Sequence, residues 1–141
     1  MKTRPTKKQL RRSAIISLAV SPILLPLASC GGDKQLTGTF IDSAVSGLNF
    51  EGTTTEAGVT DSGGEFNFLK GETITFSIGD LEVGSAEGAE LMTPLTITED
   101  ATAATDSAVN NKLILLQSID ADGDLNNGIQ ITEMIRTAVS D

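Results

Sequence analysis

Asp120, Asp122 and Asp124 alternate along the run Asp120-Ala121-Asp122-Gly123-Asp124-Leu125-Asn126-Asn127-Gly128. Carboxylates at every second residue of a turning loop, followed by an amide, can converge oxygen atoms on one hard cation such as Ca2+. Counted along a calcium loop, the three aspartates take the first, third and fifth places, and Asn126 takes the seventh through its backbone carbonyl. Leu125 stands where glycine normally allows the sharp turn, and Ile131 stands where a bidentate glutamate closes the shell. Glu133 comes two residues later and reaches the ion only if the loop takes another course. The expected ligands are therefore Asp120, Asp122, Asp124, Asn126 and Glu133, binding Ca2+ with modest affinity. The plainer reading is a solvated loop whose Asp and Asn side chains bond to nearby backbone N–H groups. The residues alone leave both open.

Other chemistries find fewer parts. The chain has no His, Trp or Tyr, which removes the commonest general base and the preferred stacking residues. Ser43, Ser46 and Ser62 have no histidine to activate them, and no Gly-x-Ser-x-Gly elbow is present. Gly84 and Gly88 lack the Lys-Ser/Thr ending of a phosphate loop. The pair Glu99-Asp100 has the right chemistry for acid–base work, but in so acidic a chain a solvated face is the simpler account. The expectation is a protein that is not an enzyme.

The single cysteine, Cys30, closes a different kind of pattern. Lys2, Arg4, Lys7, Lys8, Arg11 and Arg12 precede an uncharged, mostly apolar run from Ala14 to Ala28, the order of a secretory signal. That run is short for a membrane span and is interrupted by Pro22 and Pro26. Leu27-Ala28-Ser29-Cys30 resembles the bacterial lipobox, which implies cleavage before Cys30 and a diacylglyceryl group on its sulfur. The alternatives are an ordinary signal peptide or a short anchor helix. Gly31 follows where an aspartate would retain a lipoprotein at the inner membrane, so the resemblance implies an outer-membrane, lipid-anchored protein of the cell envelope.

Removal of residues 1–29 would leave Lys34, Lys70, Lys112 and Arg136 against nineteen carboxylates, a formal charge of −15 in place of −9. Such a surface repels phosphate backbones and anionic head groups, so nucleic acid is excluded as a partner. Attachment must come from acyl chains, each buried methylene contributing about 0.8 kcal/mol. The remaining 112 residues suffice for one small domain.

Residues 30–35 read as lipidated cysteine and tether. Residues 36–98 read as a β-domain, with short Thr, Val, Ile and Phe runs cut by glycines. Ile74, Phe76 and Ile78 alternate with Thr73, Thr75 and Ser77, the period of a half-buried strand, and Phe66 and Phe68 repeat it. Asp61-Ser62-Gly63-Gly64 is a strong turn. All five phenylalanines fall in this region, and most are expected in one core. In residues 99–141, Asp106 is placed to cap a helix over Ser107–Ile119, with Val109, Leu113, Leu116 and either Ile114 or Ile119 on its apolar face. After the Asp-rich loop, Ile131, Ile135 and Val139 predict a second short helix from about Thr132. The predicted fold is mainly β with C-terminal helices: a small β-sandwich of about six or seven short strands plus one or two helices.

The run from Gly38 to Asp80, GTFIDSAVSGLNF through TFSIGD, is similar to carboxypeptidase regulatory-like and transthyretin-like β-sandwich modules, in which the Thr-Asp/Gly/Phe element is a hairpin between two strands. Together with NNKLILLQSIDADGDLNNGIQI it resembles the N-terminal region of envelope lipoproteins of Gram-negative bacteria, over about Thr37 to Ile131. That likeness brings no activity with it. Many such proteins continue into larger domains, so a truncated or minimal member is expected. The implied role is a lipid-anchored binding or structural module with a protein or carbohydrate ligand. The rivals are the N-terminal accessory part of a larger envelope hydrolase and a subunit packing on another envelope protein.

Overall fold

Residues 34–124 and 126–140 are described by the computed structural model; Cys30 and the signal-like segment lie outside them. The order of elements is β1 (Leu36–Phe40), β2 (Val45–Ser46), β3 (Asn49–Gly52), β4 (Gly58–Val59), β5 (Glu65–Phe68), β6 (Thr73–Ile78), β7 (Leu81–Glu87), β8 (Leu91–Met92), α1 (Ser107–Ser118), β9 (Ile129–Gln130) and α2 (Glu133–Val139). The protein is mainly β with two helices, as its sequence predicts. The described residues hold nine strands in three sheets rather than six or seven. Four of them, β2, β4, β8 and β9, are two residues long, too short for alternation to mark them.

Alternation does build the longer strands. Ile74, Phe76 and Ile78 of β6 are buried, while Thr73 is exposed and Thr75 and Ser77 are half-buried. In β5, Phe66 and Phe68 point inward and Glu65 and Asn67 outward. One sheet has the order β5-β1-β8, with β1 antiparallel to β5 and parallel to β8. A second has the order β4-β3-β6-β7 and is antiparallel throughout. The phenylalanines join them: Phe40 of β1 lies 4.8 Å from Phe76 of β6, ring centre to ring centre. Phe66 of β5 meets Phe76 edge-on at 5.1 Å and Phe50 of β3 at 5.9 Å. All five rings are buried in one cluster with Val45, Leu48, Ile74, Ile78 and Met92. Burial of each such side chain contributes about 1.5–3 kcal/mol, and tilted or edge-on rings add to it.

Asp61-Ser62-Gly63-Gly64 forms the expected turn. Asp61 Oδ1 accepts from the N–H of Gly63 and of Glu65, at 2.8 and 2.9 Å. Gly64 takes φ +77°, and a Cβ there would lie 2.6 Å from the Phe40 carbonyl oxygen. The turn is not a hairpin between paired strands, however. It carries the chain from β4, which pairs with β3, to β5, which pairs with β1. The turn signal fixes local geometry; the partner of each strand is set by burial of Phe66 and Phe68 across the core.

Val109 and Leu116 of α1 are buried, and Leu115 and Ile119 pack against the core. Ile119 therefore joins this face, whereas Ile114 is 61% exposed. Asp106 occupies the position before α1 without capping it. Its carboxylate instead accepts from the N–H of Thr102 and Ala103, fastening the preceding turn. Those two bonds hold its pKa below the ordinary value. Ile131 is buried just ahead of α2 and Ile135 packs on the core, whereas Val139, expected on the same face, is exposed. Thr132 caps α2 by accepting from the Ile135 N–H.

Candidate functional site

The Asp-rich loop leaves α1 at Ile119 and returns to the core as β9, which pairs in parallel with β2 through Val45↔Ile129 and Ser46↔Gln130. Burial of Leu116 at one end and Ile129 and Ile131 at the other fixes both stems. The backbone is clamped further where Ala121 N–H donates to Gln130 O at 3.0 Å and Ile129 N–H to Ala44 O at 2.9 Å. Gly123 and Gly128 take φ +70° and +95°, which glycine adopts without strain. A Cβ at Gly128 would also lie 2.6 Å from Ala44 O.

Within that frame the carboxylates engage nearby donors. Asp120 Oδ1 accepts from the Gln130 N–H at 2.9 Å, while its Oδ2 is buried and has no hydrogen-bond partner. Asp122 Oδ1 accepts from the Asp124 N–H at 2.9 Å. Its Oδ2 accepts from Asn127 Nδ2 at 2.8 Å and Gln130 Nε2 at 3.0 Å. The Asp124 N–H and the Asn127 amide, with lesser help from the Gln130 amide, hold the Asp122 pKa below the ordinary carboxylate value against the opposing effect of burial. Asp124 Oδ1 accepts from both the N–H and Nδ2 of Asn126. Glu133 begins α2 and is exposed.

Of the five expected ligands, the structure thus links Asp120 to Asp122 through Gln130 and Asp124 to Asn126 directly. Among the described residues, no group of three or more acidic side chains converges within reach of one ion. The donor set suits Ca2+ in kind, and the orphaned Asp120 oxygen has its lone pairs free to coordinate such an ion. Asn127 and Gln130, absent from the expected set, supply the N–H groups that meet Asp122. The Asp and Asn residues signalled a loop bonded to its own backbone, but nothing in the sequence singled out Gln130.

Two open clefts of about 520 Å³ lie elsewhere. One is lined by Glu82, Ser85, Thr96, Glu99 and Lys112. Lys112 Nζ donates to the Ile97 carbonyl at 3.1 Å, tying α1 to the segment that precedes it, with Gly84 of β7 close beside both. Burial lowers the Lys112 pKa, and Glu82 partly opposes that. Glu99 borders this cleft, while Asp100 is exposed with φ +60°. The other is lined by Gln35, Phe50, Thr54, Thr55, Asn67 and Leu69. Behind it sits Glu72, a buried carboxylate with no sequence signal. Burial raises its pKa, but the Thr55 hydroxyl and the N–H groups of Leu69, Thr55 and Thr54 outweigh that and hold it at about 2.

No helix among the described residues is long and apolar enough to cross a membrane. Comparison with family models, with curated proteins and with solved structures finds no match.

Proposed function

We propose that this chain is a lipid-anchored lipoprotein of the bacterial cell envelope that carries, beyond Cys30, a non-catalytic binding or structural module. The anchor rests on the order of basic residues, apolar run and Leu27-Ala28-Ser29-Cys30. The observation that carries the module reading is how the polar side chains are used. Glu72, Asp61, Asp106 and Asp122 all accept backbone N–H groups and hold turns in shape. Side chains so engaged serve a scaffold better than proton transfer. Protein or carbohydrate ligands suit such a surface.

Ca2+ has a place in this reading as the fixer of the Asp120–Gly128 loop. The buried, unpartnered Asp120 Oδ2 favours it. To bind, the ion would displace the Asn127 and Gln130 amide hydrogens from Asp122. The test is thermal melting with millimolar Ca2+ against chelator, followed by circular dichroism because the chain has no Trp or Tyr. A site that binds only the folded state stabilises by about 2.7 kcal/mol at a hundredfold excess over Kd. An upward shift that Asp122→Ala abolishes supports the site; equal melting in both buffers removes Ca2+ from the reading. The anchor is tested separately. Cys30→Ser should end incorporation of labelled palmitate and release the protein from membranes, and label in that variant would refute it.

A further inference from the structure

Asn127 is one of six asparagines in the chain, and the only one followed by glycine. It is exposed, lies outside every strand and helix, and sits in a turn where its N–H donates to Asp124 O at 3.2 Å. Gly128 is itself buried against Ala44, but it has no side chain to stand between its nitrogen and the side-chain carbonyl of the exposed Asn127. We propose that Asn127–Gly128 is a site of spontaneous deamidation in the folded protein, one that turns an amide donor of the Asp-rich loop into a carboxylate. The inference does not depend on whether the loop takes a cation.

The chemistry needs only water and a solvent base. The Gly128 backbone nitrogen attacks Cγ of Asn127 and gives up its proton. The Cγ–Nδ2 bond breaks, and Nδ2 leaves as ammonia. The resulting five-membered imide is opened by water at either carbonyl. Opening at Cγ gives aspartate at position 127. Opening at the main-chain carbonyl gives isoaspartate, with the backbone rerouted through Cβ and Cγ.

Both products disturb the contacts that hold the loop. Asn127 Nδ2 donates to Asp122 Oδ2 at 2.8 Å, so aspartate there sets carboxylate against carboxylate. Ordinary aspartates are ionised at neutral pH, so the repulsion is present there. Isoaspartate adds a backbone atom one residue before Gly128, which is already close against Ala44 O. The Val45↔Ile129 register follows immediately and carries Ile129 into the core. There is little slack to absorb the longer backbone, and the loop with β9 should loosen.

The experiment ages the full chain, solubilised in detergent, at mildly alkaline pH and samples it over days. Peptide mapping by mass spectrometry, with separation of aspartate from isoaspartate, follows all six asparagines. A parallel sample is kept unfolded in urea. The expected result is conversion at Asn127 in the folded sample ahead of the other five asparagines, with the converted fraction melting lower at neutral pH. Asn127→Gln, which keeps an amide donor but forms the larger ring reluctantly, should remove this heterogeneity. The proposal is overturned if Asn127 stays intact in the folded chain, whether or not the urea sample converts. It is equally overturned if another asparagine converts first, or if Asn127→Gln ages as the parent does.

Discussion

Glu72 and Thr55, seventeen residues apart, meet twice: the Thr55 hydroxyl donates to Oε1 and the Thr55 N–H to Oε2. Oε2 also accepts from the Thr54 N–H at 3.1 Å, and Oε1 from the Leu69 N–H. One buried carboxylate therefore organises both the β3–β4 connection and the turn before β6. Gly52 is required beside it, since a Cβ there would lie 2.5 Å from Oε2. The sheet edge that borders the Thr54–Thr55 cleft is built around this group.

Glu72→Gln should destabilise the fold by roughly 2–4 kcal/mol. Glutamine offers one carbonyl oxygen and one amide group, so its N–H groups would face backbone N–H donors that now reach the second carboxylate oxygen. Urea unfolding followed by circular dichroism reads the loss. A midpoint equal to that of the parent would refute the clamp.

The same carboxyl sets an acid limit. Its folded pKa is about 2 against an ordinary 4.5. A depressed folded pKa means its contribution is fully present above pH 4.5 and is lost as pH falls from 4.5 through about 2. Acid titration at fixed urea should show stability dropping in that window. The drop should be smaller in Glu72→Gln, which has no charge to lose.

Thr60 is the second buried clamp. Its hydroxyl donates to Val45 O at 2.6 Å and accepts from the Leu48 N–H at 3.0 Å. Thr60→Val keeps the shape and strands both backbone groups, at a cost of about 1–3 kcal/mol. Thr60→Ser keeps the hydroxyl and should lose less. The order of the two melting temperatures decides it, and valine melting above serine would count against the bonding account.

The contrast between these clamps and the phenylalanines explains what the sequence makes legible. Phe66 and Phe68 reveal an inward strand face because alternation is a local pattern, read within a few residues. Apart from the Leu69 N–H, three residues before Glu72, the partners of Glu72 and Thr60 lie twelve to eighteen residues away, and no local pattern marks such a pairing. The Asp-rich loop falls between. Its acidic spacing was plain, but the role of Gln130 depends on the β2–β9 register, which brings its N–H to Asp120 and its side chain to Asp122. Asp106 shows the limit of a position-based reading: it stands at the head of α1 and turns back to the preceding loop.

Phe76 of the four-stranded sheet touches both Phe40 and Phe66 of the three-stranded sheet. Phe76→Ala should cost about 3–5 kcal/mol by removing buried area and leaving a cavity between the sheets. Phe76→Leu should cost less. Chemical denaturation of both variants measures the difference, and near-equal, small losses would mean that the sheets are not joined through this ring.

Gly84 tests the close approach of β7 to Ile97 and Lys112. A Cβ there would stand 2.3 Å from Ile97 O and 2.7 Å from Lys112 Nζ. The lysine tip can swing away; the backbone carbonyl cannot without moving the segment before α1. Gly84→Ala should therefore cost about 1–3 kcal/mol. Lys112→Met keeps the apolar stem and loses the bond to Ile97 O, at a cost of about 1 kcal/mol. In the double variant, clearing the lysine removes only the softer of the two clashes, so Lys112→Met should not rescue Gly84→Ala. Melting near the level of Lys112→Met alone would place the conflict at the lysine and refute the close approach of β7 to Ile97.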